Sequence, residues 1–301
     1  MTTTTKPHIG FIGVGFMGHG MAKNIVEKGY SLTVLGHRNR APVEDLLAKG
    51  AKEAKTAAEL SRVCDIIFIC VTGSPQIEAL VRGEGGLKAG AKKGLIIADC
   101  STADPTSTLA LAAELAPLGV HFIDAPLGGT PAQAETGKLS TMIGAPPEIF
   151  ARVKPVCEAW AAKVDHIGAV GDGHKMKLIN NFLSLGYGAI YAEALTLAQK
   201  TGITPKVFDS VLRGSRMDCG FYQTYMDYVL TRNRDAHKFT IANAAKDTRY
   251  LAAMANAAGV ANPVGSAVKN AYAAALAAGK GEEFVPMLSD FVAAGSGVKL
   301  G

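Results

Sequence analysis

The sequence predicts an α/β chain in which a doubly wound, mainly parallel sheet comes first and an all-α domain follows, the two joined by one long helix. Three observations carry this. Short apolar runs alternate with helix-like segments through the first half, and a glycine-rich turn closes the first of those runs. From about Gly171 the pattern changes to successive helical segments, many of them alanine-rich. Buried strands alternating with helices imply right-handed β-α-β crossovers and hence parallel pairing. The 301 residues suit two domains, expected at 1–170 and 171–301, because about 100–200 residues per domain is usual.

The elements follow in order. HIGFIGVG (8–15) is an apolar strand entering the glycine turn, and MGHGMAKNIVEKG (17–29) reads as a helix that stops at glycine. SLTVLG (31–36) is the second strand, followed by a helix in the 40s. DIIFICV (65–71), a helix from about Pro75, GLIIADCS (94–101), a helix over 106–118 and VHFIDAPL (120–127) continue the alternation. Residues 174–200 form one long helix with Leu178, Phe182, Leu185 and Ala189 at helical spacing, and 205–213, 219–232, 240–258 and 263–278 read as further helices. No repeat of the solenoid kind is visible.

Composition narrows the function. Apolar residues at 48% and charged residues at 19% provide a core and argue against disorder. Lys and Arg total 31 against 26 Asp and Glu, a net +5. That charge is mild and not gathered into a basic block, so a small anionic ligand fits it better than a nucleic acid. The five cysteines (Cys64, Cys70, Cys100, Cys157, Cys219) show neither C-x-x-C pairs nor zinc spacing. Cys64 and Cys70 lie in or beside an apolar run and Cys100 follows one, which reads as buried thiols in a reducing compartment. No metal site is expected. The N-terminal MTTTTKPHIG carries no targeting pattern and its threonines read as a frayed tail; no apolar run reaches the roughly 18 residues of a membrane span. A cytoplasmic protein is expected.

The turn Gly13-Val14-Gly15-Phe16-Met17-Gly18 matches G-x-G-x-x-G between the first strand and first helix. In that position Gly13 permits a tight turn, Gly15 lets backbone approach a pyrophosphate, and Gly18 lets helix and strand pack closely. Amides at the helix start then face the phosphates. A dinucleotide is the expected ligand. Its ribose is read at the end of the second strand, where an acid would hold the 2′-hydroxyl of NAD. VLGHRNRAP (34–42) has no acid there, and offers His37, Arg38, Asn39 and Arg40 instead. Guanidinium groups hold phosphate by paired hydrogen bonds, so NADP(H) is expected in preference to NAD(H), with NAD(H) possible. Thr72, after the DIIFICV run, is a further cofactor-contact candidate.

GDGHKMKLINN (171–181) opens the long helix. Residues three and four apart share a helix face, so Lys177 lies over Asn181 with His174 a turn earlier, while Lys175 points elsewhere. An ammonium and a side-chain amide so placed can address one small oxygen, the lysine moving the proton and the asparagine orienting the substrate. By itself the stretch also reads as a capped helix start with solvated polar groups.

Taken with the rest of the chain, the stretch resembles a known family. GDGHKMKLINN follows GFIGVGFMGHGMAKN (10–24), DCSTADP (99–105) and DAPLGGTPAQAETG (124–137), and precedes FTIANAAKD (239–247). These motifs, in this order across essentially the whole chain, resemble the β-hydroxyacid dehydrogenase family, which includes 3-hydroxyisobutyrate dehydrogenase and tartronate semialdehyde reductase. The resemblance implies a Rossmann-type first domain and hydride transfer between a nicotinamide cofactor and a small semialdehyde or 3-hydroxy acid. It implies Lys177 as catalytic acid/base, Asn181 as its substrate-orienting partner and Thr102 near the nicotinamide. Lys246 would approach the cofactor and Asp247 and Phe239 the substrate, while backbone amides at 127–130, with Gly128, Gly129 and Thr130, would cradle the substrate's acid. A lysine with an ordinary pKa of about 10.4 already serves as an acid at neutral pH. The long apolar helix and the resemblance imply a homodimer or homotetramer.

The chain departs from the family pattern in two places. The usual Ser-Gly-Gly is Gly128-Gly129-Thr130 here, nearer to the V-G-R-T of sulfolactaldehyde reductases but without the arginine. EFVPM (283–287) replaces an acidic pattern. A decarboxylating relative of 6-phosphogluconate dehydrogenase would need histidine where Asn180 stands, and imine reductases usually lack the lysine. A sulfolactaldehyde-like or imine substrate, or a cofactor sensor without turnover, are the alternatives.

Overall fold

The structure is a computed structural model that describes residues 6–301; the threonines at 2–5 lie outside them. Packing divides the chain into two compact units, Met1–Lys177 and Leu178–Gly301.

In the first unit β1 (Ile9–Ile12), α1 (Gly18–Glu27), β2 (Leu32–Leu35), α2 (Ala41–Ala48), β3 (Lys52–Ala54), α3 (Ala57–Val63), β4 (Ile66–Ile69), α4 (Ser74–Arg82), β5 (Ile96–Asp99), α5 (Pro105–Leu115) and β6 (His121–Asp124) alternate as the apolar runs require. Then come β7 (Leu127–Gly128), α6 (Pro131–Glu135), β8 (Leu139–Gly144), α7 (Pro147–Cys157) and β9 (Ala161–Gly168). The sheet order is β3-β2-β1-β4-β5-β6-β8-β7, with β9 beside β8. Pairings from β3 through β6 are parallel; β8 runs antiparallel to β6 and β7 and parallel to β9.

The near-continuous apolar strands are explained by burial on both faces. Ile9, Phe11, Ile66, Phe68, Ile96 and Ala98 face one core cluster. Their neighbours Ile12, Ile67, Ile69 and Ile97 face the other. Each isoleucine or phenylalanine among them contributes roughly 1.5–3 kcal/mol when fully buried. Strand order reverses at β1, between β2 and β4, and in open α/β sheets ligands bind outside the carboxyl ends of strands at such a point.

Helix α8 (Asp172–Lys200) starts in the first unit and continues into the second. The expected domain start was Gly171; packing divides the chain after Lys177 instead, because the first turn of α8 is hydrogen-bonded to β6. In the second unit α9 (Pro205–Leu212), α10 (Gly220–Thr231), α11 (Ile241–Ala257), α12 (Pro263–Ala277) and α13 (Leu288–Gly295) follow. Leu185, Ala192 and Leu195 of α8 pack there with Tyr222, Tyr225, Ile241 and Tyr272. Among the described residues no helix is long and apolar enough to cross a membrane.

Candidate active site

The three glycines of the first turn do different work. Gly13 has φ +92°, and a side chain there would strike the Cys70 carbonyl. A Cβ on Gly18 would strike the Gly13 carbonyl and crowd the Phe11 ring at 2.9 Å. These two glycines are required by the protein's own packing. Gly15 is not, since a Cβ there meets nothing within 4 Å. Phe16 beside it is 86% exposed, and α1 begins without a side-chain cap, the His19 amide bonding back to the Gly15 carbonyl at 3.0 Å. An open glycine over uncapped amides is a cradle that suits a pyrophosphate.

At the end of β2 the four predicted ribose contacts separate. Arg40 makes a two-pronged contact with Glu53 at 2.6 and 2.8 Å, which holds the Glu53 carboxyl below its usual range. That pair crosses the face of Gly36, where a side chain would collide with both groups. Asn39 accepts from the Ala41 amide at 3.3 Å and helps start α2. His37 and Arg38 are exposed. Both arginines are exposed at this strand end, but Arg40 is committed to Glu53 while Arg38 is not part of that pair. Glu53 escaped notice in the sequence because β3 contributes it from a short, mostly exposed strand.

The loops after β4 and β5, which carry Thr72 and Thr102, are laced together. Ser101 Oγ accepts from the Val71 amide at 3.0 Å, and Ser74 Oγ accepts from the Asp104 amide at 2.8 Å. The substrate loop is reorganised by α6. Thr130 and Gln133 form a capping box, in which the Thr130 amide donates to Gln133 Oε1 at 2.9 Å. The expected amide cradle thus loses its Thr130 member, while Gly128 and Gly129 stay outside this box. A Cβ on Gly128 would lie 2.5 Å from Ser140 Oγ. The hydroxyl absent from position 128 is delivered next to it by Ser140 of β8, which pairs with Gly128. Sequence reading missed Ser140 because strand pairing, not chain proximity, brings it there.

The start of α8 is anchored on Asp124, the first residue of the same substrate-loop motif. Its buried carboxylate accepts from the Gly171 amide at 2.6 Å and the His174 amide at 2.7 Å. Burial pushes its pKa up, opposed by His174 and by these two amides. Gly173 has no room for a side chain: a Cβ would meet Asp124 Oδ2 at 2.8 Å and crowd the Met142 carbonyl. Lys175 turns away to pair with Asp172 at 2.9 Å. Lys177, half-buried, follows His174 on this turn.

In the second unit Asn181, 7% exposed, donates through its amide to Asp247 Oδ2 at 2.7 Å. A carboxylate only accepts, so the Asn181 amide orientation is settled by this bond. Lys246 pairs with Asp247 Oδ1 at 3.2 Å and lies 5.5 Å from the Tyr250 ring centre. Asn181, Lys246 and Asp247 therefore form one hub around the buried Asp247 carboxylate, which holds its two neighbours rather than standing as an isolated contact. Phe239 packs on the edge of this unit's core. Cys64 and Cys70 are pushed by burial to about 12, and Cys100 and Cys157 are also raised, so these thiols stay protonated and unreactive. Among the described residues no group of three or more ligating side chains could hold a metal.

Comparison with known proteins gives the family of the chain. Residues 8–168 match the model described as the NAD binding domain of 6-phosphogluconate dehydrogenase. Residues 171–288 match that of the NAD-binding domain of NADP-dependent 3-hydroxyisobutyrate dehydrogenase. The chain is 30% identical to 3-sulfolactaldehyde reductase of Escherichia coli over 91% of its own length and 92% of the relative's. It is 37% identical to 2-hydroxy-3-oxopropionate reductase of the same organism over 68% and 70%. A crystal structure named 3-hydroxyisobutyrate dehydrogenase, from Salmonella typhimurium, superposes with a TM-score of 0.84 at 28% identity, covering 94% of this chain and 99% of that one. The chain belongs to the β-hydroxyacid dehydrogenase family. It is an NAD(P)-dependent oxidoreductase acting on the hydroxyl group of hydroxy acids.

Proposed function

We propose that the chain reduces a small semialdehyde bearing an acidic group to its 3-hydroxy acid with NADPH, and catalyses the reverse oxidation, with Lys177 as the acid/base. The observation that carries this reading is the anchoring of α8. Asp124 ties the helix start to the loop that would hold the substrate's acid, and Lys177 projects from the next turn. The nicotinamide, when bound, supplies the hydride. Protonated Lys177 donates its proton to the carbonyl oxygen as the carbon is reduced; in oxidation its neutral amine takes the hydroxyl proton. Asn181, one turn on and fixed by Asp247, orients the oxygen. Gly128 and Gly129 present backbone to the acid, and Ser140 Oγ, which donates to the Gly128 carbonyl at 3.4 Å, braces this strand end.

The cofactor assignment rests on Arg38. With Arg40 engaged by Glu53, Arg38 and His37 are the groups at the β2 end suited to a 2′-phosphate. A sulfonated aldehyde is the second reading, favoured by the relative matched over most of both chains, 3-sulfolactaldehyde reductase. The apolar face of α8 that includes Ile179, Leu183, Ile190 and Leu197, 43–66% exposed, supports a homodimer or homotetramer. The five free cysteines suit the cytoplasm.

A panel of carboxylated, sulfonated and uncharged aldehydes, run with NADPH and NADH, tests the whole. Turnover of acidic aldehydes with NADPH is expected, and Lys177→Ala lowers kcat by about 100-fold or more. Lys177→Ala with near-parental kcat would remove the mechanism. Arg38→Ala lowers the NADPH-to-NADH ratio of kcat/KM by about tenfold or more, as loss of one charge-assisted contact requires. A parental ratio that favours NADH would overturn the cofactor assignment.

A further inference from the structure

The buried imidazole of His174 has no part in the chemistry described above, yet both of its ring nitrogens are hydrogen-bonded at the head of α8. It is 0% exposed. Its Nδ1 lies 2.7 Å from Thr108 Oγ1 on α5, and its Nε2 lies 3.1 Å from the Ser101 carbonyl and 3.7 Å from Asp99 Oδ2. A carbonyl only accepts, so Nε2 carries a proton.

These contacts reach the parts of the fold that a hydride-transfer enzyme must register. Ser101 stands next to Thr102 and, through Oγ, holds the Val71 amide next to Thr72. Both threonines are in the loops expected to face the cofactor. On the other side, the His174 amide is held by Asp124 at the head of the substrate loop, and Lys177 is three residues on along the helix. Hydride must reach the carbon and the proton must reach the oxygen of one carbonyl, whose atoms are about 1.2 Å apart. The two donors therefore have to be held in one frame, since a misplacement of about 1 Å can cost about 100-fold in rate.

We propose that His174 is a positioning residue. Its ring fixes the helix turn that carries Lys177 against the loops after β4 and β5, so that proton and hydride converge on the same carbonyl. The Nε2–H bond to Ser101 is the working contact, because it reaches the cofactor-facing loops; the Thr108 bond orients the ring. This rests on Lys177 being the acid/base, and the test separates the two ideas.

The variants His174→Ala, His174→Gln and His174→Asn, with Lys177→Ala and the double variant His174→Ala/Lys177→Ala, are assayed with NADPH. The substrate is whichever of 2-hydroxy-3-oxopropionate or 3-sulfolactaldehyde the unmodified protein reduces faster. Cofactor affinity is read separately from NADPH fluorescence. His174→Ala is expected to lower kcat by about 100-fold while NADPH affinity stays within about threefold. Glutamine places its amide near the Nε2 position and keeps the donor to Ser101, so it recovers kcat to within about tenfold of the parent. Asparagine reaches only the Nδ1 position and does not recover it. The double variant is no slower than Lys177→Ala alone, because the ring acts through the lysine.

Parental kcat in folded His174→Ala, a loss of NADPH affinity as large as the loss of kcat, or strict additivity in the double variant each overturns the inference while leaving Lys177 in place. Near-parental kcat in Lys177→Ala overturns the mechanism itself and the inference with it. If His174→Ala does not fold, the Gln and Asn variants decide: equal kcat in the two overturns the positioning role, and faster turnover by Gln supports it.

Discussion

Replacing Gly15 by alanine separates what the first turn does for the fold from what it does for the cofactor. The new methyl meets nothing within 4 Å, and the backbone has no left-handed φ. Stability should therefore change by no more than about 0.5 kcal/mol, as for an exposed position. The same methyl occupies the space through which a pyrophosphate reaches the uncapped amides of α1. Losing one charge-assisted amide–phosphate bond costs about 1.5–3 kcal/mol, which is roughly a 10- to 150-fold weaker Kd. Gly13→Ala is the contrasting change. It forces a side chain into φ +92° and against the Cys70 carbonyl, and at about 3 kcal/mol it should lower the melting temperature by roughly 6–12 °C. Fluorescence titration with NADPH and a melt followed by circular dichroism measure the two quantities independently. A Gly15→Ala protein that binds NADPH within about threefold of the parent, or melts as low as Gly13→Ala, would refute the assignment of this turn to a dinucleotide.

Two further outcomes follow from charge and burial. With Cys64, Cys100 and Cys157 buried, Cys70 partly exposed and Cys219 exposed, a thiol reagent at pH 8 should label Cys219 rapidly, Cys70 slowly because its thiol is pushed up to about 12, and the three buried thiols only on unfolding. Fast labelling of any of those three in the native protein would contradict the burial. Acid should destabilise the junction of α1, α2 and α6. Hydrogen bonds from Lys49 and then His19 hold Asp45 low; burial would raise Glu135, but Lys23 and His19 outweigh it. Carboxyls with depressed pKa stabilise the fold above their ordinary pKa and lose that contribution as pH falls through the folded value. An Asp45→Asn/Glu135→Gln protein should therefore show a flatter loss of stability between about pH 5 and pH 3, and stability curves that run parallel to the parent's would remove this account.

Elements with a strong apolar signature were legible. The runs at β1, β2, β4, β5 and β6 announce themselves because both sheet faces are buried, and the length of α8 follows from its helical spacing. β3 and β9, like β8 and the two-residue β7, were not read as strands. Lys52-Glu53-Ala54 presents two exposed residues and one buried one, and most of β9 is exposed or partly so, so neither has the apolar run that marks a strand. At the site, contiguous motifs were readable because their roles are local: Gly13, Gly15 and Gly18 shape one turn, and Lys177 and Asn181 share one helix. Arg40 looked like Arg38 in sequence and differs from it only because β3 pairs beside β2 and brings Glu53 alongside.

The sequence alone therefore determined the α/β-then-α order, the dinucleotide turn, the family motifs and the lysine on the long helix, all properties of neighbouring residues or of burial periodicity. Tertiary structure decided the assignments that depend on groups distant in the chain. It engaged Arg40 with Glu53, set Ser140 Oγ beside Gly128, took the Thr130 amide for Gln133 and fastened Asn181 to Asp247. It also turned His174 from an unassigned neighbour of Lys177 into a buried link between α8, α5 and the β5 loop. The physical reason is the same in each case: a polar group's role is set by the partner that satisfies it, and the partner is chosen by strand pairing and helix packing rather than by position along the chain.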